Sequence, residues 1–176
     1  AAFMHNAWAE GIGQEYLAYA HPKTSIGGVG ASFNMLHTSG LKGFDNSGQA
    51  VGDVSAQDLA VSFGYARRVW GEESPDFGRG LSAGVAAKYI RERLENDSAS
   101  GFAADAGLLA YFPFRRSLMK AGLAVQNLGS GPAYYGRQAP LPRTLAFGLS
   151  ATSRSGWGYP MTAALEVKQA LGAPTS

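Results

Sequence analysis

The sequence predicts an all-β fold: an antiparallel transmembrane β-barrel, with about eight strands in a single domain over residues 1–176. Three observations carry this. Segments of nine to thirteen residues alternate bulky apolar side chains with small or polar ones at period two, the period of an extended strand. Clusters of Gly, Pro, Asn, Asp and Ser interrupt those segments, as turns do. Charge is also scarce, with Asp, Glu, Lys and Arg making up 16% of the chain against about 25% in an ordinary soluble domain.

Taken in order, strands are expected at 12–20, 26–37, 57–69, 80–92, 102–112, 118–127, 143–152 and 159–169. The first two are bounded by HPKTS and by the Gly- and Asn-bearing SGLKGFDNSG. In the third, Leu59, Val61, Phe63 and Tyr65 oppose Ala60, Ser62, Gly64 and Ala66. In the fourth, Leu81, Ala83, Val85, Ala87 and Tyr89 oppose Ser82, Gly84, Ala86, Lys88, Ile90 and Glu92, and Arg91 and Arg93 follow the apolar run. Residues 81–89 have about the length that a tilted strand needs to cross a bilayer core. In the fifth, Phe102 and Phe112 bracket Ala104, Ala106, Leu108 and Ala110, as aromatic girdles bracket a lipid-facing band. The segments LAVSFGYA, LSAGVAAK, MKAGLAVQ and LAFGLSAT repeat one strand type, and in the seventh strand Leu145, Phe147 and Leu149 again oppose Ala146, Gly148 and Ser150.

The links read as short at 113–117 and 153–158 and longer at 93–101 and 128–142, the alternation of turns and outer loops in membrane barrels. The link at 70–79 is longer than its place in that alternation calls for. A soluble β-sandwich shares the period-two pattern, but the low charge and the Gly/Ala/Ser-rich second face favour the barrel.

Several function classes fall away. The chain has no cysteine, which removes disulfides and thiolate metal sites. No apolar run approaches the roughly 20 residues of a membrane helix. The net charge of +2 is scattered and forms no basic stripe for nucleic acid. Gly80, Ser82 and Gly84 match the spacing of a hydrolase nucleophile elbow, yet strand periodicity continues through Ser82, where an elbow must turn into a helix. His5, His21 and His37 recur every sixteen residues with turns between them, which does not specify a metal site. No catalytic residue, metal or cofactor is expected.

Polar residues on the small face draw attention instead. Strand parity turns Lys88, Glu92, Asp105 and Gln126 toward the barrel interior, where pairing across strands is the expected role. Lys88 and Glu92 are too far apart on one strand to pair with each other. In the link after 127, Tyr134, Tyr135 and Arg137 are residue types that anchor protein interfaces.

The segments AWAEGIGQEYLAYAHP, DVSAQDLAVSFGYARRV, GLSAGVAAKYIRERL, AADAGLLAYFP, AVQNLG and LPRTLAFGLSA, in that order, resemble the PorV/PorQ family of bacterial outer-membrane proteins, related to FadL-like barrels. The resemblance runs over about residues 3–169. It implies a bacterial outer-membrane location, contact with outer-membrane lipid, and a barrel larger than these strands close, so that the chain is an internal portion of a longer one. It further implies a non-enzymatic role in type IX-like secretion, with exported proteins or translocon components as partners, bound through outer loops bearing Tyr134, Tyr135 and Arg137. The other roles expected are a FadL-like transporter of hydrophobic small molecules and a structural subunit of an envelope complex.

Overall fold

The computed structural model describes residues 1–8, 11–23, 26–71, 78–95, 97–134, 137–154 and 159–171. Among these residues the fold is all-β, with no helix: β1 (Ala2–Ala7), β2 (Ile12–Lys23), β3 (Gly27–Phe44), β4 (Ala50–Gly71), β5 (Gly80–Leu94), β6 (Asp97–Phe114), β7 (Ser117–Ser130), β8 (Ala133–Tyr134), β9 (Arg137–Gln138), β10 (Thr144–Arg154) and β11 (Pro160–Ala170). Nine strands form one sheet in the order β1-β2-β3-β4-β5-β6-β7-β10-β11, while β8 and β9 make a two-stranded hairpin apart from it. Each neighbour in the large sheet is antiparallel and follows in sequence, apart from the step over the hairpin. The sheet curls into a half-barrel, so the predicted architecture is present as part of a barrel wall.

Two features of the expected strand map are corrected. β1 was absent from it, and β3, β4 and β6 extend well past the expected limits, to 18, 22 and 18 residues. The long link expected at 93–101 is strand on both sides: Leu94 pairs with Asp97, which leaves only residues 95–96 between β5 and β6. The cause is one physical effect. A strand that continues beyond its apolar band is polar on both faces, so RLENDSASG carries the composition of a loop while keeping the ladder of a strand.

The β3–β4 hairpin reaches furthest. β2 begins at Ile12 opposite Thr38, and β5 ends at Leu94 opposite Ala56, after which β3 and β4 continue as a two-stranded ribbon with pairs from Leu41–Val54 to Phe44–Ala50. Its turn is closed by Asp45, whose Oδ1 accepts the backbone N–H groups of Ser47 (2.8 Å) and Gln49 (2.9 Å). The Gly48 N–H donates to the Asp45 carbonyl, and Gly48 takes a left-handed φ of 77° that suits a residue without Cβ.

The sheet has no conventional core. Ala99, Ala103 and Ala146 are its only buried apolar side chains among the described residues, while Phe63, Val85, Phe102, Leu123, Phe147 and Leu165 all stand exposed on one face. For a water-soluble sheet this would be the wrong way out.

Candidate functional site

The convex face carries a belt, and its course across the register is informative. On β4 the outward apolar run is Leu59, Val61, Phe63 and Tyr65, between Gln57 and Arg67. One straight row of paired residues runs Tyr65, Val85, Ala106, Val125, Leu145, Gln169. That row starts at the edge of the belt on β4, passes through the middle of the run on β5, and leaves the belt at Gln169 on β11, where the run is Met161, Ala163, Leu165 and Val167. The belt therefore slides along the strands by roughly one and a half residues per step. With about 3.3 Å per residue and about 4.8 Å between strands, that slide levels the belt when the strands tilt by roughly 45°. Strands of membrane barrels tilt by about 35–45°. At one margin Tyr89 and Phe102 pack with ring centroids 5.2 Å apart, in a row that also holds Phe3, Leu17, Phe33 and Val61.

The concave face is built from the opposite parity. Gly28, Ala66, Gly84, Gly107, Ala124 and Ala146 pair one to the next across six strands, so one whole row has no side chain larger than methyl. The curl over such rows leaves a trough of about 790 Å³, lined also by Gly30, Gly64, Ser82, Leu109, Gly122 and Gly148, with Asp105, Gln126 and Glu166 as its polar and charged inward side chains. Ser82 lies within unbroken strand, paired with Arg68 and Leu109, so no elbow forms around it.

Lys88 and Asp105, expected to face inward, meet there: Lys88 Nζ lies 2.7 Å from Asp105 Oδ2, with about four-fifths of each side chain covered. The partner missed from the sequence is Asn127. The ladder between β6 and β7 shifts between Ala104 and Ala106, and at that irregularity Asn127 adopts φ 61°. Its backbone N–H donates to Asp105 Oδ1 (2.9 Å), its Oδ1 accepts from Lys88 Nζ (2.9 Å), and its Nδ2 donates to the Pro142 carbonyl (2.9 Å). The sequence held a signal, because Asn tolerates left-handed φ better than most residues and Asn127 stands two residues before Gly129. Gln126, also expected inward, lines the trough and pairs with Thr144, outside this network.

Glu92 is placed elsewhere. It stands opposite Asp58 on β4, beyond the apolar run of residues 81–89, and its carboxyl is pushed above the ordinary range, first by burial and then by the Asp58 charge. Tyr134 belongs with them. Burial first, and then the charges of Glu92, Asp58 and Asp97, push its phenol upward, which puts its ring at the acidic margin of the concave face. Tyr134 is half-buried, and its strand β8 pairs with Arg137 and Gln138 of β9. Tyr135 lies outside the described residues, as does the side chain of Arg137.

The link carrying Tyr134 folds inward. A Cβ on Gly101, which points to the concave side, would lie 2.5 Å from the Ser130 carbonyl and 3.0 Å from Pro132 N. Pro132 is fully buried, and Ala99 and Ala103 beneath it are each only 6% exposed. The Ala139 N–H donates to the Pro132 carbonyl (2.9 Å), closing the two arms on each other.

Of the three histidines, two come together: His5 Nδ1 and His37 Nε2 lie 3.2 and 3.3 Å from Glu15 Oε1. His21 stands instead by the Tyr19 hydroxyl. Among the described residues no group of three side chains is arranged to hold a metal ion.

A half-barrel with an outward apolar belt and an inward trough of small residues defines the class: an incomplete β-barrel wall. Set against models of known protein families and against curated proteins, the chain finds no match.

Proposed function

We propose that the chain is part of the wall of a bacterial outer-membrane β-barrel, with its convex face in lipid and its concave face lining the interior, and that it is not an enzyme. The diagonal slide of the apolar belt across the register carries this reading. A soluble sheet has no reason to shift its exposed apolar residues steadily by about one and a half positions per strand, whereas strands tilted in a flat bilayer must do so. The role is that of a PorV-type component of protein secretion, with exported proteins or translocon components as partners. Its support is the ordered resemblance of the sequence, together with the ribbon of β3 and β4 that reaches past the belt and offers free strand edges to a protein.

A second reading, transport of a hydrophobic small molecule, is favoured by the trough: about 790 Å³ floored by Gly and Ala suits an apolar guest. One experiment tests the membrane reading. Single cysteines at Phe63, Val85 and Leu149 should carry labels reached by lipid-phase quenchers, and cysteines at Ser62, Ala86 and Ser150 labels reached from water. Equal access at both sets overturns the barrel. Crosslinking of the membrane-inserted protein then separates the roles, an exported protein at the β3–β4 ribbon supporting secretion and an empty ribbon beside a lipid-loaded trough supporting transport.

A further inference from the structure

The two arms 130–134 and 137–142 lie at one end of the trough, beyond the residues that line it, where β7 leaves the sheet. Those arms lie on the concave side of β6, packed against Gly101 and over Ala99 and Ala103. Their inner contacts are tight: a Cβ on Gly131 would lie 2.1 Å from the Ala139 carbonyl. Besides that packing, hydrogen bonds tie the returning arm to the wall at the Pro142 carbonyl, which accepts from Asn127 Nδ2 (2.9 Å) and from the nearby Thr144 hydroxyl (3.1 Å). Asn127 joins the returning arm, through Pro142, to a Lys88–Asp105 pair rooted in β5 and β6.

We propose that Asn127 is a latch, a positioning residue that holds these arms at the end of the trough and so sets how far the trough opens there. The irregular register at Asn127 is what aims the amide. In a regular ladder a residue shares its neighbours' alternation between faces, but the left-handed turn at Asn127 lets its backbone N–H reach Asp105 while its amide spans from Lys88 to Pro142. Lys88 and Asp105 neutralise each other, so the latch leaves no bare charge at the trough mouth, and its strength depends on three short polar contacts instead of on net charge. The consequence for passage through the interior rests on the barrel reading. The latch itself does not.

Two variants test it on the full-length protein in micelles. Asn127→Gly keeps access to the left-handed backbone but removes the side-chain bonds to Lys88 and Pro142. Asn127→Asp keeps an acceptor for Lys88 and loses only the donor to Pro142. Both should raise amide exchange of Ala139, the residue that closes the arms, by about tenfold, the factor that one lost hydrogen bond of ordinary strength gives, while amides in the middle of β5 and β6 keep their protection. Unchanged exchange at Ala139 overturns the latch. Equal loss of protection in β6 and β7 overturns it too, since Asn127 would then hold the sheet and not the arms. In lipid vesicles, sugar flux should rise several-fold in both variants. Unchanged flux beside raised Ala139 exchange removes the control of opening, and failure of the wild-type protein to insert refutes the barrel reading while the exchange result still decides the latch.

Discussion

The two faces of β5 are separated by a single residue step and live under opposite rules. Val85, Ala87 and Tyr89 point outward into the apolar belt, and Val85 is 61% exposed. Gly84, Ala86 and Lys88 point inward, where the neighbours across the strands are Ala66, Gly107, Gly64, Asp105, Ser62 and Ala103. In water the bulky face would be the buried one, so the two faces are inverted relative to a water-soluble sheet, the arrangement that the proposed barrel in lipid calls for. On that reading, exposure does not measure tolerance to change. Val85, though open, should not tolerate a charge, whereas the half-buried Ala86 should.

The sharpest way to break this comparison is charge on one face against charge on the other. Val85→Arg should destabilise the full-length protein folded in lipid vesicles by about 2–4 kcal/mol if the site lies near the bilayer midplane. Ala86→Arg, one step away, should cost markedly less, because its long side chain extends into the trough beside Asp105. Urea unfolding in vesicles measures both. Equal costs would mean that the faces are not distinguished by lipid, and the barrel assignment would fall.

A smaller effect sharpens the interior side. Among the described residues, the concave face carries the ion pairs Lys88–Asp105 at 2.7 Å, with about a fifth of each side chain exposed, and Lys168–Glu166 at 3.1 Å, with more than half of each exposed. Lys88→Met leaves Asp105 and Asn127 short of a donor in a largely covered place and should cost about 1–3 kcal/mol. Lys168→Met removes a pair screened by water and should change stability by less than about 0.5 kcal/mol. The same unfolding curves decide it, and a cost at Lys168 equal to that at Lys88 would show that the Asn127 network adds nothing to its ion pair.

How much of this was legible in the sequence depends on the range of the interaction. Alternation is local, so the faces of β4, β5, β6 and β10 could be read from Phe63 against Gly64 or Phe147 against Gly148 without knowing a single neighbour. The inward placement of Lys88 and Asp105 followed from the same parity. Their pairing did not, because it depends on the register that sets Lys88 beside Ala103 and Asp105 beside Ala86. Asn127 was hidden for a related reason: a bulge is a mismatch between two strands, and one strand alone does not display it. The ribbon ends of β3, β4, β5 and β6 were hidden by composition, since polar residues on both faces of a strand resemble a loop until the partner is known. The meeting of His5 and His37 at Glu15 likewise needs three strands in register, and the sixteen-residue spacing that first suggested a cluster plays no part, because His21 stands apart.

The smallest expected effect concerns the acidic margin, where the strands have run past the apolar belt and are polar. Glu92 faces Asp58 directly, and both burial and that neighbouring charge favour its neutral form. A carboxyl whose value is raised on folding stabilises the folded state most when it is protonated. Its contribution is full below the ordinary glutamate range near pH 4.3 and is lost as pH rises through the raised value. The wild-type protein should therefore lose a little stability as pH rises from that range toward neutrality, and Glu92→Gln, which cannot ionise, should flatten that part of the profile and unfold at a higher urea concentration at neutral pH. Tyr134 does not contribute in this window, because its phenol is held neutral there, its value moved further up from the alkaline range. Asp58→Asn gives the finer division: burial is the larger cause at Glu92, so removing the Asp58 charge should shrink the slope and leave most of it in place. Complete loss of the slope in Asp58→Asn would make the neighbouring charge the dominant cause and burial the minor one, the reverse of the order argued here.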